Sequence, residues 1–130
     1  MSTSIRRPTA HELATAVRRM LEQPESPSPY ERRVAANVLG ILERELARGA
    51  DAERAGRERL ARFLGRDGAA SELHELLCEQ IAQGDLDARW SELIGLLKAM
   101  TLDRLAIDNP RYPAYRRAVA AFESSSEQHP

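Results

Sequence analysis

Apolar residues return every three or four positions along most of this chain, the spacing that gathers them on one side of an α-helix. Thr9 and Glu12 have the spacing of a capping box, in which hydroxyl and carboxylate each accept from a free backbone N–H. Leu13, Ala16, Val17, Met20 and Leu21 follow with helical period and predict a first helix over residues 10–22. It must stop before QPESPSPY, whose prolines suit an extended connector. A second helix is predicted over residues 30–48, with Val34, Val38, Ile41, Leu42 and Leu46 on one side and Gly49 as its stop. Asp51 is the expected cap of a third helix, which carries Leu60, Phe63 and Leu64 and ends at Gly65.

Ser71 is the expected cap of a fourth helix, with Leu73, Leu76, Leu77, Gln80 and Ile81 on one face and Gly84 at its exit. Asp87 is the expected cap of a long fifth, with Trp90, Leu93, Ile94, Leu97, Met100 and Leu105 inward. The Asp108-Asn109-Pro110 sequence closes it, because the residue before a proline is pushed away from helix. Pro113 opens a short sixth helix through Phe122. No alternating apolar and polar run bounded by turn residues occurs, so no sheet is expected. The expected fold is an all-α, single-domain bundle of five to six helices. Residues 9–123 make the domain, 1–8 a flexible lead-in and 124–130 a disordered tail.

Composition narrows the picture. With 130 residues the chain suits one domain, large enough to bury a core without disulfide or metal. Its formal net charge of -1 gives no electrostatic case for nucleic acid or an anionic membrane, and paired arginines such as Arg18-Arg19 and Arg116-Arg117 are balanced by acids. Lys98 is the only lysine among abundant arginine and alanine, a bias that suits a GC-rich bacterial genome. Cys78 is the only cysteine, which excludes an internal disulfide and points to a reducing compartment. The opening MSTSIRRPTAHEL lacks an apolar core of signal-peptide length, and no apolar run is long enough for a membrane span. A cytoplasmic location is the expectation.

Catalytic hardware is not evident. No serine sits in a nucleophile elbow, and Glu43 and Glu45 are two apart, on different helix faces. His74 and Cys78 share a face but make only half a metal site, and His11 and His129 stand apart, so neither metal nor cofactor is expected. The candidates that remain are polar residues at helix flanks. On a wheel at ~100° per residue, Arg33, Asn37, Gly40 and Arg44 line one flank of the second helix's apolar stripe. That seam is either a ligand contact or an ordinary amphipathic boundary, where arginine stems cover apolar surface. Glu45 and Arg104 each fall within an apolar stripe, which suggests an ion pair between helices or two stripes that have reached solvent. Asp108, Asn109, Arg111 and Tyr112 crowd the turn after the fifth helix, as a second ligand-binding element or simply as a helix stop.

RRVAANVLGILEREL (residues 32–46), TLDRLAIDNPRY (residues 101–112) and the opening RPTAHELATAVRRML resemble the signature segments of a small bacterial helical family known as a domain of unknown function. The resemblance extends over residues 7–112, with the last eighteen residues an extension and the proline-rich connector shorter than is usual there. Its recurring positions match Arg33, Asn37, Glu43, Arg44, Asp108, Asn109, Pro110 and Tyr112. Members are similar to proteins encoded beside aminoglycoside-phosphotransferase-like kinases and acyl-CoA dehydrogenases, which implies an accessory role beside such enzymes. It implies no catalytic residues.

Two functions follow as expectations. The first is a non-catalytic interaction module that partners a phosphotransferase-like kinase or an acyl-CoA dehydrogenase. The second is a binder of, or enzyme for, a small anionic ligand; it requires the Arg33–Asn37–Arg44 seam and the turn at 108–112 to meet, because guanidinium forks suit carboxylates and phosphates. Self-association is a further expectation, since Trp90, Phe122 and other apolar residues outnumber the inner positions.

Overall fold

The computed structural model describes residues 8–126, and every regular element among them is helical. These are α1 (Ala10–Leu21), α2 (Pro29–Leu64), α3 (Ala70–Ala82), a single 3₁₀ turn (Asp87–Arg89), α4 (Trp90–Asp108) and α5 (Pro113–Ser126). The all-α expectation therefore holds. Residues 1–7 of the expected lead-in and 127–130 of the expected tail, His129 among them, lie outside the described residues. Among the described residues, no helix is long and apolar enough to cross a membrane.

The chain divides into two compact units, Met1–Asp51 and Ala52–Pro130, and α2 runs through the boundary. In the first unit, the Glu12 N–H donates to Thr9 Oγ1 at 3.1 Å, as the capping box predicts. Residues 22–28 then lead to α2, which starts with a second, reciprocal box. The Glu31 N–H donates to Ser28 Oγ at 3.1 Å and the Ser28 N–H to Glu31 Oε1 at 3.3 Å. Pro29 sits at the first helical position, where its missing N–H costs nothing. Two helices have little interior to share, and Val17 and Ala35 are the buried apolar residues among those described in this unit. Leu21, Tyr30, Val34, Leu39 and Leu46 are exposed.

The second unit holds the core. Leu60 of α2, Leu73 and Leu77 of α3, Leu86 before the 3₁₀ turn, and Leu93 and Leu96 of α4 form one buried cluster. Phe63, Leu64, Leu97 and Met100 pack against it. Full burial of a leucine is worth roughly 1.5–3 kcal/mol against exposure, so these six side chains contribute strongly to the unit's folding. Two glycines turn the chain back at the helix ends. Gly65 (φ 66°) follows α2, where the Arg66 N–H reaches the Ala61 carbonyl at 3.0 Å and the Gly65 N–H the Arg62 carbonyl at 3.3 Å. Gly84 (φ 78°) does the same after α3, with Asp85 N–H to Gln80 O and Gly84 N–H to Ile81 O. Both are Schellman stops, which need the left-handed backbone that glycine adopts without strain.

Several sequence expectations are corrected. Gly49 does not stop a helix, and Asp51 does not cap one: the two expected helices are the single 36-residue α2. Gly49 lacks a left-handed φ, and residues 50–59 are rich in alanine, glutamate and arginine, which sustain helix through it. Gly49 is instead buried under Glu45, whose Oε1 would lie 2.9 Å from an added Cβ. Ser71 does not cap α3, which starts at Ala70 behind Ala69 with no side-chain cap. Asp87 opens the 3₁₀ turn, and α4 starts three residues later. Trp90, expected inside, is 58% exposed, and Leu96 takes the inward place. At the far end α5 continues past Phe122 to Ser126, with Ser124 and Ser125 hydroxyls donating to carbonyls one turn back.

Candidate functional site

The seam on α2 is a surface feature of the first unit. Arg33 and Asn37 are exposed, so the Asn37 amide meets water and pays no burial cost. Gly40 has a defined purpose, because the Arg44 guanidinium folds back over it, with Nη1 3.2 Å from where a Cβ would stand. A methyl at 40 would require that guanidinium to give by a few tenths of an ångström. Tyr30 and Val34 lie next to the seam on the wheel, 70% and 44% exposed. The flank is thus a strip of guanidinium, amide and aromatic groups open to solvent.

The polar turn after α4 belongs to the second unit. Asn109 is the C-cap of α4 and donates its N–H to the Leu105 carbonyl at 2.9 Å. Its own carbonyl accepts from the Tyr112 N–H at 3.1 Å, and the Tyr112 carbonyl accepts from Arg116 N–H in the first turn of α5. Residues 109–112 are therefore a tight connector that starts α5. Asn109, Arg111 and Tyr112 are exposed, whereas Asp108 is half-buried and pairs with Arg104 one turn earlier, Arg104 Nε to Asp108 Oδ2 at 2.5 Å. Arg104 Nη1 is buried without a hydrogen-bond partner. Glu45, in the first unit, curls over Gly49.

Two arginines that the sequence pattern did not single out join elements of the second unit. Arg59 of α2 donates from Nη1 to Asp103 Oδ2 of α4 at 2.6 Å, with both side chains part-buried. Arg89 is busier. Its Nη1 donates to the Phe63 carbonyl at 3.0 Å, its Nε and Nη2 to Glu92 Oε2, and its guanidinium carbon lies 4.1 Å from the Phe63 ring centroid. One side chain thus satisfies a carbonyl in the last turn of α2, complements the negative end of that helix and covers an aromatic face. In sequence, Arg89 is one arginine among many. Only the turn at Gly65 and Gly84, which brings the chain back to the end of α2, selects it.

A shallow depression of about 320 Å³ is lined by Arg66, Asp67, Glu72, Glu75 and Glu79 with Leu73 and Leu76. Asp67 is already engaged by Arg57 Nη1 at 2.9 Å and by the Gly68 N–H at 2.8 Å. Among the described residues, no three histidine, cysteine or acidic side chains converge to hold a metal ion. His74 Nδ1 is bonded to the Ala70 carbonyl at 2.7 Å, and Cys78 one turn on is exposed.

Fold and surface together define an all-helical domain whose candidate groups lie on open helix flanks and turns. A family model described as a domain of unknown function, DUF6285, matches residues 22–112, and the chain belongs to that family. The match ends at Tyr112, where the sequence resemblance also ends, but it starts at Glu22, so α1 lies outside it. No curated protein and no solved structure matches the chain.

Proposed function

We propose that this protein is a non-catalytic helical interaction module, and that the flank of α2 bearing Tyr30, Arg33, Val34 and Asn37 is its contact surface. The observation that carries the reading is the exposure of Tyr30 and Val34 beside arginine on the first turns of a well-capped helix. Tyrosine and arginine are the residue types that anchor protein interfaces, since each offers a large apolar body with a polar tip. The resemblance in sequence supports a phosphotransferase-like kinase or an acyl-CoA dehydrogenase as partner. Purified protein is mixed with each enzyme at micromolar concentration and the mass of the complex is measured by light scattering. A complex that Tyr30→Ala or Arg33→Glu weakens at least ~10-fold, the effect of losing an interface anchor, is expected. No complex with either enzyme, or one indifferent to both substitutions, rejects the reading.

Binding of a small anion by the α2 flank alone, without the turn at 108–112, is the second reading, and the exposed Arg33 guanidinium beside the exposed Asn37 amide favours it. Titration with phosphate, acetate and acetyl phosphate, followed by amide NMR, tests it. Saturable shifts at residues 33, 37 and 44 support a ligand site. Uniform, unsaturable shifts reject it.

A further inference from the structure

The opposite flank of α2 carries a second stripe. Arg32, Ala36, Leu39, Glu43, Leu46 and Ala50 follow one another at alternating steps of four and three residues, the spacing of a coiled-coil seam. All six are exposed, Leu46 at 88% and Leu39 at 47%. The stripe lies wholly within the first unit. Among its described residues, that unit has two helices and buries two apolar side chains, too few for the amphipathic surface it carries.

The stripe is complementary to itself in one orientation. In an antiparallel pair, a small residue faces a large one when Leu39 lies opposite Ala36 of the second helix. The same register puts Arg32 opposite Glu43, and the two-fold axis repeats both pairs. Sequence positions confirm the match, since 39 and 36 have the same sum as 32 and 43. A parallel pair would instead stack Arg32 on Arg32 and Glu43 on Glu43, which like charges oppose. We infer that a second copy of this chain docks antiparallel along the stretch Arg32–Ala36–Leu39–Glu43, with Leu46 facing Pro29 of the other copy at each end, making a homodimer of the first units. This goes beyond the protein-partner reading, because the Tyr30–Val34 flank lies on the other side of α2 and stays open.

Sedimentation equilibrium of the full chain tests it between about 10 µM and about 500 µM, the range in which a small interface titrates. The expected mass rises with concentration from 14.5 kDa toward twice that value. Leu39→Asp weakens the dimer at least ~10-fold, since it sets two carboxylates in the seam. Arg32→Glu and Glu43→Arg each weaken it alone, and an equimolar mixture of the two restores it as a heterodimer. A parallel pair would instead leave each single variant about as strong as the wild type and make the mixture stronger than it, because like charges already face each other there. Far-UV circular dichroism confirms that each variant remains helical, and Trp90→Ser leaves the mass curve unchanged. A wild-type mass fixed at the monomer value, a dimer indifferent to Leu39→Asp, or a mixture that stays as weak as its components overturns the inference.

Discussion

At the scale of single residues, Arg89 ties more of the second unit together than its place on the surface suggests. Its guanidinium meets the Phe63 carbonyl, the Phe63 ring and Glu92 at once. Arg89→Ala is expected to lower stability by about 1–2 kcal/mol, from a lost hydrogen bond and a lost cation–π contact. Urea unfolding of the two proteins measures it. Arg89→Lys keeps the charge but lacks the planar fork that reaches carbonyl and carboxylate together, so it should recover less than half of the loss. Equal stability of all three would show that the contacts are incidental. Local polar placements of this kind were hard to read in the sequence. Asn37 and Arg33 were legible as flank residues because they depend only on helical period. Arg59–Asp103 and Arg89–Phe63 depend on which helices meet, and period says nothing about that.

At the scale of elements, the three glycines at 49, 56 and 65 look alike in sequence and differ in physics. Gly65 holds φ at 66° in a Schellman stop, so Gly65→Ala is expected to cost about 1 kcal/mol. Gly56 lies inside α2 with nothing within 4 Å of an added Cβ, so Gly56→Ala should stabilise by up to about 1 kcal/mol through helix propensity. Gly49→Ala should gain less, because its methyl would press on the Glu45 carboxylate. Thermal unfolding of the three variants gives the order, and a stabilised Gly65→Ala would contradict the cap. Stops at Gly65 and Gly84 were readable because a turn-rich stretch follows each. Gly49 resembles a stop in sequence but is none, because the chain beyond it, rich in alanine and arginine, is as good a helix former as the chain before. A lone glycine outweighs such neighbours only where the backbone must turn left-handed.

For the molecule as a whole, apolar burial is unevenly shared. Leu60, Leu73, Leu77, Leu86, Leu93 and Leu96 interlock in the second unit, while Val17 and Ala35 are the buried apolar residues among those described in the first. Native-state hydrogen exchange should therefore be slowest in peptides around Leu60, Leu73 and Leu93 and faster across α1, since opening free energy follows local apolar contact density. Mass spectrometry of exchanged peptides checks this, and slowest exchange in α1 would refute it. The helical class was written in the periodicity from end to end. The uneven core was not, because Leu46 and Leu60 carry the same signal in sequence and end at opposite extremes of exposure.

The lone tryptophan has a practical meaning. Trp90 opens α4 with more than half of its surface in water while the chain is folded. Its indole emission is expected to be close to that of a hydrated ring, so denaturation should change the colour little and intrinsic fluorescence should gauge melting poorly. The same ring turns bluer once another molecule covers it, which gives this protein a built-in optical sensor for anything that settles on that end of the helix.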